Sequence, residues 1–365
     1  RLGPLSRVHP RVHACTLTAR LGTCATSEEV VQVVAEAQVV AATCLGTSDA
    51  VLARRAFDVC IIDEASQITV PTCLGPLRLA DRFVMIGDHH QLTPLVRDTD
   101  AAQHGMSVSL FQRLCKAHPS SVAMLCTQYR MNADIMALSN ALVYDGRLVC
   151  GNESVACAKF TMKRDACPSW LWDVLDPARP AVFVDTDAVK AVESRADTLV
   201  ENRVEAEWIV RMSDVLIQAN VAAADIGILT PYRQQAKLLR DRCACEVLTV
   251  DQAQGRDWPV VLVSLVRSNK THTVGELLRD QRRVNVMITR AKTKLVLVGS
   301  YSTMIHGPCT EPMPALLPLL RMIQPKEPAD IPVHVSPGRQ RYVKKARRPT
   351  PVVTDLLNEQ DCIAE

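Results

Sequence analysis

The chain has 365 residues, enough for two domains with ample core, which excludes a peptide or a single small module. Apolar residues make up 48% and charged residues 22%, which excludes a wholly disordered chain. Lys plus Arg number 42 against 39 Asp plus Glu, so a formal charge of +3 excludes a generally basic surface, and 4% aromatics exclude an extended base-stacking platform.

In chain order, Ser27-Glu28-Glu29 opens a helical pattern, with Ser27 as N-cap. Short apolar runs follow at Val39–Cys44, Val59–Ile62, Phe83–Ile86, Ala181–Val184, Ile226–Leu229, Val260–Val266 and Leu295–Val298. Apolar runs without alternation predict strands buried on both faces, as in a parallel sheet. Between the runs lie helical patterns, and Glu201–Ala219 is one of them, with Val204, Trp208, Met212 and Val215 on one face. Strand–helix alternation gives an α/β class. The stretch Gly146–Pro180 has little periodicity and separates two groups of strands. The chain therefore reads as two α/β domains, 1–127 and 128–307, then a largely disordered Pro-rich and basic tail, 308–365, with the cluster Lys344-Lys345-Ala346-Arg347-Arg348.

The 14 cysteines include no C-x-x-C spacing, and Cys44, Cys60 and Cys126 sit in apolar runs. Small buried thiols in a reducing compartment fit better than zinc or disulfides. No stretch supplies the ~20 apolar residues of a membrane span. The most apolar window, Val30–Leu45, is broken by Gln32, Glu36 and Gln38. No signal peptide is visible, and the chain starts at Arg1, as a piece of a longer protein would.

Several motifs carry chemistry. Val59-Cys60-Ile61-Ile62-Asp63-Glu64 is a strand ending in two carboxylates, placed at the carboxyl edge of a sheet, where α/β proteins bind ligands. In a nucleotide hydrolase the first carboxylate holds Mg²⁺ and the second orients or deprotonates the attacking water. Phe83-Val84-Met85-Ile86-Gly87-Asp88-His89-His90-Gln91 ends a second strand in polar groups, and a neutral Gln91 suits contact with both a phosphate and the water. His89 and His90 are adjacent and expected to point apart, which disfavours a metal. Gln128-Tyr129-Arg130-Met131, Gln254-Gly255-Arg256-Asp257 and Thr289-Arg290-Ala291-Lys292 supply guanidiniums suited to phosphate oxygens.

This set, in this order, resembles the superfamily 1 helicases of the five-prime to three-prime branch. Val39–Gly46, Thr72–Leu77, Leu138-Ser139-Asn140, Val266–Lys270 and Thr273–Leu278 extend the likeness to the eukaryotic helicase/nucleases of DNA replication. It covers Arg1 to about Ser300, weakens over Asn152–Arg203 and is absent from the tail. The resemblance implies two RecA-like domains with parallel sheets, the first one N-terminally truncated, closing on ATP and Mg²⁺. It assigns Asp63 to the metal, Glu64 to the catalytic base and Gln91 to the γ-phosphate. Arg130 and Arg290 become arginine fingers, worth ~10³-fold or more in rate. Gly255 approaches the nucleotide, Asp257 stands where relatives place a ribose-bonding Glu, and Tyr129 packs on adenine. Thr43, Pro231, Tyr232, Arg233 and Thr249 fall on the DNA phosphate track.

The pattern departs from the family at Thr93, in place of the Pro that follows Gln-Leu, and at Met287, in a normally small position. It departs most in having no Gly-x-x-x-x-Gly-Lys-Ser/Thr loop. The family's nuclease domain and its iron–sulfur cluster lie upstream of the matching residues. The expectation is a motor portion, inactive alone, of a nuclear and also mitochondrial DNA helicase/nuclease acting in Okazaki-fragment maturation and end resection. Expected partners are single-stranded or flapped DNA, single-strand-binding protein and other repair proteins. Two other readings compete: a helicase of the nonsense-decay or senataxin type, and a non-catalytic relative that binds DNA or a partner. Asn132 after Gln-Tyr-Arg-Met disfavours the nonsense-decay type, which has His-Pro there.

Overall fold

A computed structural model describes residues 2, 8–22, 25–53, 55–189, 191–196, 199–306, 316–323 and 325–326. All of these lie in one compact unit, Arg1–Asp330. Two of its sheets organise the site.

The first sheet pairs β1 (Phe57–Ile62) with β2 (Ala80–Met85) in parallel, with Cys60 opposite Phe83 and Ile61 opposite Val84. Helix Val70–Leu77 joins them and buries Cys73 and Pro76. The expected two-sided burial does not hold here: Val59, Ile61, Phe83 and Val84 are exposed. No third strand pairs with either among the described residues, and the consecutive exposed residues Phe83 and Val84 show that both faces of β2 are partly open. Val39–Cys44 is not a strand. Among the described residues its one backbone bond to a distant segment, from the Leu2 N–H to the Ala41 carbonyl at 2.9 Å, makes no ladder, and Val39 stands in solvent. Helix Ser27–Glu36 is capped by Thr26 rather than Ser27, because Thr26 and Glu29 close a reciprocal capping box.

Two short strands, β3 (Thr127–Gln128) and β4 (Val149–Cys150), also pair in parallel. The second large sheet collects β5 (Ala181–Asp185), β8 (Ile226–Thr230), β9 (Glu246–Thr249), β10 (Trp258–Ser264), β11 (Ala291–Gly299) and β12 (Pro325–Lys326). Its order is β12-β5-β11-β10-β8-β9, with every pairing parallel. A hairpin of β6 (Ser194–Ala196) and β7 (Leu199–Glu201) stands apart from it. The valine-rich runs are central because nothing in them needs water: Val260 to Val263 and Leu295 to Val298 are wholly buried.

Helix Arg203–Gln218 covers this sheet. Its buried face is centred one position from the expected stripe, on Glu205, Ala206, Ile209, Met212, Ser213 and Leu216. Trp208 and Met212 of the expected stripe are buried, while Val204 and Val215 lie at its flank. The weakly periodic stretch Gly146–Pro180 contains helices Glu153–Ala156 and Ser169–Leu175. Within the segment read as tail, helix Leu317–Met322 sets Leu319 and Leu320 into the core, and β12 adds to the edge of β5. Four apolar residues, Leu316, Leu319, Leu320 and Ile323, supply the reason. The basic cluster Lys344–Arg348 lies outside the described residues.

Cys44, Cys60 and Cys126, expected to be buried, are half-buried, whereas Cys73 and Cys245 are buried. No described helix is long and apolar enough to cross a membrane.

Candidate active site

The carboxyl ends of β1 and β2 are held together by backbone. The Ile86 N–H donates to the Ile62 carbonyl and the Ala65 N–H to the Ile86 carbonyl, both at 2.8 Å. Gly87 is required at this crossing, because a Cβ there would lie 2.9 Å from the Ser66 nitrogen. Glu64 takes a left-handed conformation, φ 51°, which turns its side chain out of the strand line. Asp63 accepts from the Glu64 N–H at 2.9 Å, and both carboxylates are exposed. Glu64 Oε2 accepts from Gln67 at 2.9 Å and, from the far side of the molecule, Gln254 at 3.4 Å.

Gln91 donates to Asp88 Oδ2 at 3.0 Å, and Tyr144 donates its hydroxyl to the same oxygen. Burial, the Asp88 charge and this bond push the Tyr144 phenol well above its ordinary range. His89 and His90 do not point apart. They lie in a turn beyond β2, and their rings stand 4.2 Å apart. Burial, with His90 beside it, lowers the basicity of His89. No cluster of three or more metal-ligating side chains occurs among the described residues.

The cations come from the turn after β3 and from the start of β11. Gln128 Oε1 accepts from the Arg130 and Met131 N–H groups, both at 2.8 Å, closing the turn that presents Arg130. Asn132 caps helix Ala133–Ser139, and its own N–H donates to the Lys292 carbonyl at 2.8 Å. That bond brings the Gln-Tyr-Arg-Met motif against the start of β11. Arg130 then meets Asp257 at 3.2 Å and the Thr289 carbonyl at 3.5 Å. Lys292 meets the other Asp257 oxygen at 2.6 Å.

Arg290 is 2% exposed. It donates to the Val286 and Arg256 carbonyls and to the Thr289 hydroxyl, at 3.0, 3.2 and 3.0 Å. Burial and the nearby Arg130 charge lower it to about 10, against the pull of Asp257 and Glu64. It stays a cation at neutral pH, within reach of the Glu64 charge though not in hydrogen-bond contact with it. Gly255 has φ 78°, so it is a position for glycine. Met287 fills its departure from the small residue without exposure, at 1%.

Glu64 meets Gln254, the neighbour of Gly255, while Arg130 and Asp257 pair and act on Arg290 through their charges; Asp63 joins this set only as the residue before Glu64, and Gln91 only through Asp88 and Tyr144. Tyr129 is 68% exposed, its ring lying over Gly151. The residues read as a DNA track are not joined to this cluster by any hydrogen bond or ion pair among the described residues. Thr43 is exposed and accepts from the Gly46 N–H at 3.1 Å. Tyr232 reaches the Val274 carbonyl at 3.5 Å, between half-buried Pro231 and exposed Arg233. Thr249 is buried and caps the turn Val250–Ala253, so its hydroxyl is engaged within the chain. Asp257 places one oxygen on Arg130 and the other on Lys292. Sequence reasoning passed over Asp88, Tyr144, Asn285 and Lys292 as site residues. Only Lys292 lay within a quoted chemical motif's cationic end, and nothing local to Tyr144 marks it.

Parallel sheets that present carboxylates, a glutamine and converging guanidiniums at their strand ends define a RecA-like α/β protein. Two family models described as AAA domain match the chain, over residues 19–98 and 106–302. The chain belongs to the AAA domain family. It is 44% identical over 314 residues to a DNA replication ATP-dependent helicase/nuclease of Arabidopsis thaliana, covering 84% of this chain and 23% of the relative. The protein of that name from Homo sapiens is 43% identical, covering 87% and 31%. That from Saccharomyces cerevisiae is 39% identical, covering 83% and 21%. The chain spans less than a third of the length of these relatives. The likeness read from the motifs thus extends over most of the chain.

Proposed function

We propose that the chain is the motor portion of an ATP-driven helicase that moves five-prime to three-prime along DNA. In a longer protein it is joined to a nuclease and acts in Okazaki-fragment maturation and end resection. The observation that carries this is the Gln254 amide donating to Glu64, at the end of β1, at 3.4 Å, with the buried Arg290 guanidinium close enough to feel the Glu64 charge and Arg130 beside it on Asp257. That geometry suits hydrolysis of a phosphoanhydride. Glu64 takes the proton of a water attacking the γ-phosphorus, Gln91 orients that water, and the two guanidiniums offset the charge that builds on the phosphate oxygens.

Mg²⁺ suits Asp63, since it keeps most of its waters and needs only one or two carboxylates besides phosphate. When bound it neutralises charge on the phosphates. Tyr129 offers a ring for adenine and Gly255 a backbone for close approach. Thr43, Pro231, Tyr232, Arg233 and Thr249 remain proposed contacts to a single strand, Thr249 through its backbone. The division at 127/128 into two motor domains, an upstream iron–sulfur nuclease domain, nuclear and mitochondrial residence, and work alongside single-strand-binding protein belong to the same reading.

Residues 1–365 contain no Gly-x-x-x-x-Gly-Lys-Ser/Thr loop, so these residues alone bind a single strand without turning over ATP at a useful rate. The test is fluorescence anisotropy with single-stranded DNA and RNA, alongside phosphate release by the same sample. Preferred binding to DNA without turnover supports the reading. Preference for RNA, or turnover free of contaminating ATPase, overturns it. In the full-length gene product, Glu64→Gln abolishes ATP hydrolysis and spares DNA binding; retained hydrolysis removes Glu64 from the role of base.

A further inference from the structure

We infer that Asp257 is an internal stand-in for phosphate: it holds Arg130 and Lys292 in place until a polyphosphate displaces it. The inference rests on the proposed phosphate site and adds Lys292 to it.

The geometry is specific. One carboxylate offers one oxygen to Arg130 Nε, at 3.2 Å, and the other to Lys292 Nζ, at 2.6 Å. The two cations arrive from different elements, Arg130 from the turn after β3 and Lys292 from β11. They converge beside Arg290, whose guanidinium is fixed by the Val286 and Arg256 carbonyls and cannot swing away. Burial, and after it the Arg130 charge, lower Arg290. Three cations in one neighbourhood need an anion, and Asp257 supplies it within the chain.

The contact is also built to be broken. The Asp257, Arg130 and Lys292 side chains keep 30, 40 and 39% of their surface in water. Pairs at that exposure are weak, whereas a polyphosphate brings several charged oxygens to the same cations. Lys292 and Arg130 can exchange one acceptor for another with little rearrangement. An aspartate does this better than a glutamate, because its shorter side chain holds the cations back from the space the ligand enters.

The experiment is isothermal titration calorimetry of the purified chain with inorganic tripolyphosphate. Asp257→Asn is expected to tighten binding by about tenfold, the combined loss of two weak competing pairs. Lys292→Ala is expected to weaken it, with recovery in Lys292→Arg. A gain on removing a charged residue is a readout that structural damage does not produce. Asp251→Asn, which removes a carboxylate paired with Arg283 at 3.1 Å outside the cluster, controls for net charge. No gain in Asp257→Asn, or an equal gain in Asp251→Asn, overturns the inference. If that failure comes with weakened binding in Arg130→Ala and Arg290→Ala, the phosphate site stands and only the stand-in falls. If those two variants also bind as the parent does, the phosphate site falls with it.

Discussion

Asn285 Nδ2 donates to the carbonyl oxygen of His90 at 3.1 Å, joining residues 195 positions apart in the chain. The same amide nitrogen lies 3.1 Å from the Tyr144 hydroxyl, which in turn donates to Asp88, and Ser139 donates to Asn285 Oδ1 at 2.8 Å. Asn285 sits on helix Gln281–Ile288, which ends two residues before Arg290, and Asp88 accepts from Gln91. The turn beyond β2 is thus tied to the helix that delivers the buried guanidinium. Asn285→Leu strands the Ser139 hydroxyl and the His90 carbonyl in the interior, and is expected to cost about 2–4 kcal/mol. Tyr144→Phe costs about 1–2 kcal/mol. Urea unfolding measures both, and losses below about 0.5 kcal/mol, the range of ordinary surface changes, would contradict the role of this relay.

Gly87→Ala drives a Cβ against the Ser66 nitrogen at 2.9 Å, where both neighbours are backbone. The strand ends must part, at about 1–3 kcal/mol. Thermal unfolding would show it, together with faster amide exchange at Ala65 and Ile86, whose bonds cross this point. Unchanged exchange there would contradict the close approach.

Glu205 is fully buried, and burial raises its carboxyl to about 8 from an ordinary 4.5. It does so against donors: the Ser264 hydroxyl at 2.7 Å, the Val266 N–H at 2.8 Å and Asn202 at 3.1 Å. Between about 4.5 and 8 the folded chain holds a proton that the unfolded chain has released. Its contribution is therefore full below the unfolded value and is lost as pH rises toward 8. In Glu205→Gln the fall in stability between pH 5 and pH 8 becomes shallower. An unchanged pH profile would mean Glu205 is ionised in the folded protein.

Lys294 gives the opposite slope. It is buried, donates to the Asp176 and Arg179 carbonyls at 3.1 and 2.6 Å, and is lowered to about 7 by burial. Between about 7 and 10.5 the unfolded chain holds the extra proton, so stability rises with pH in that window. Lys294→Met should remove the rise while leaving those two carbonyls without their donor. A rise that persists in the variant would assign it to other groups.

Much of this was legible in the residues. The second sheet's strands announced themselves because Val260–Val263 and Leu295–Val298 bury every side chain, so no alternation was needed. Val39–Cys44 has the same apolar character yet forms no strand, since a strand also needs neighbours and composition says nothing about those. The carboxylates and guanidiniums were legible as motifs. The partnership between Asp257 and the two cations was not, because Arg130 and Asp257 are distant in sequence and only the fold sets them 3.2 Å apart. Tyr144 and Asn285 were invisible for the same reason, and Glu205 because a carboxylate on a helix is ordinarily read as solvent-facing.

The central claim is that Arg290 faces the phosphates of ATP across from Glu64. The most direct test is single-strand-stimulated ATP hydrolysis by the full-length gene product, comparing the parent protein with Arg290→Ala. The account predicts a fall in kcat of about 10³-fold, with single-strand affinity little changed. Hydrolysis at the parent rate in a folded Arg290→Ala protein would contradict it.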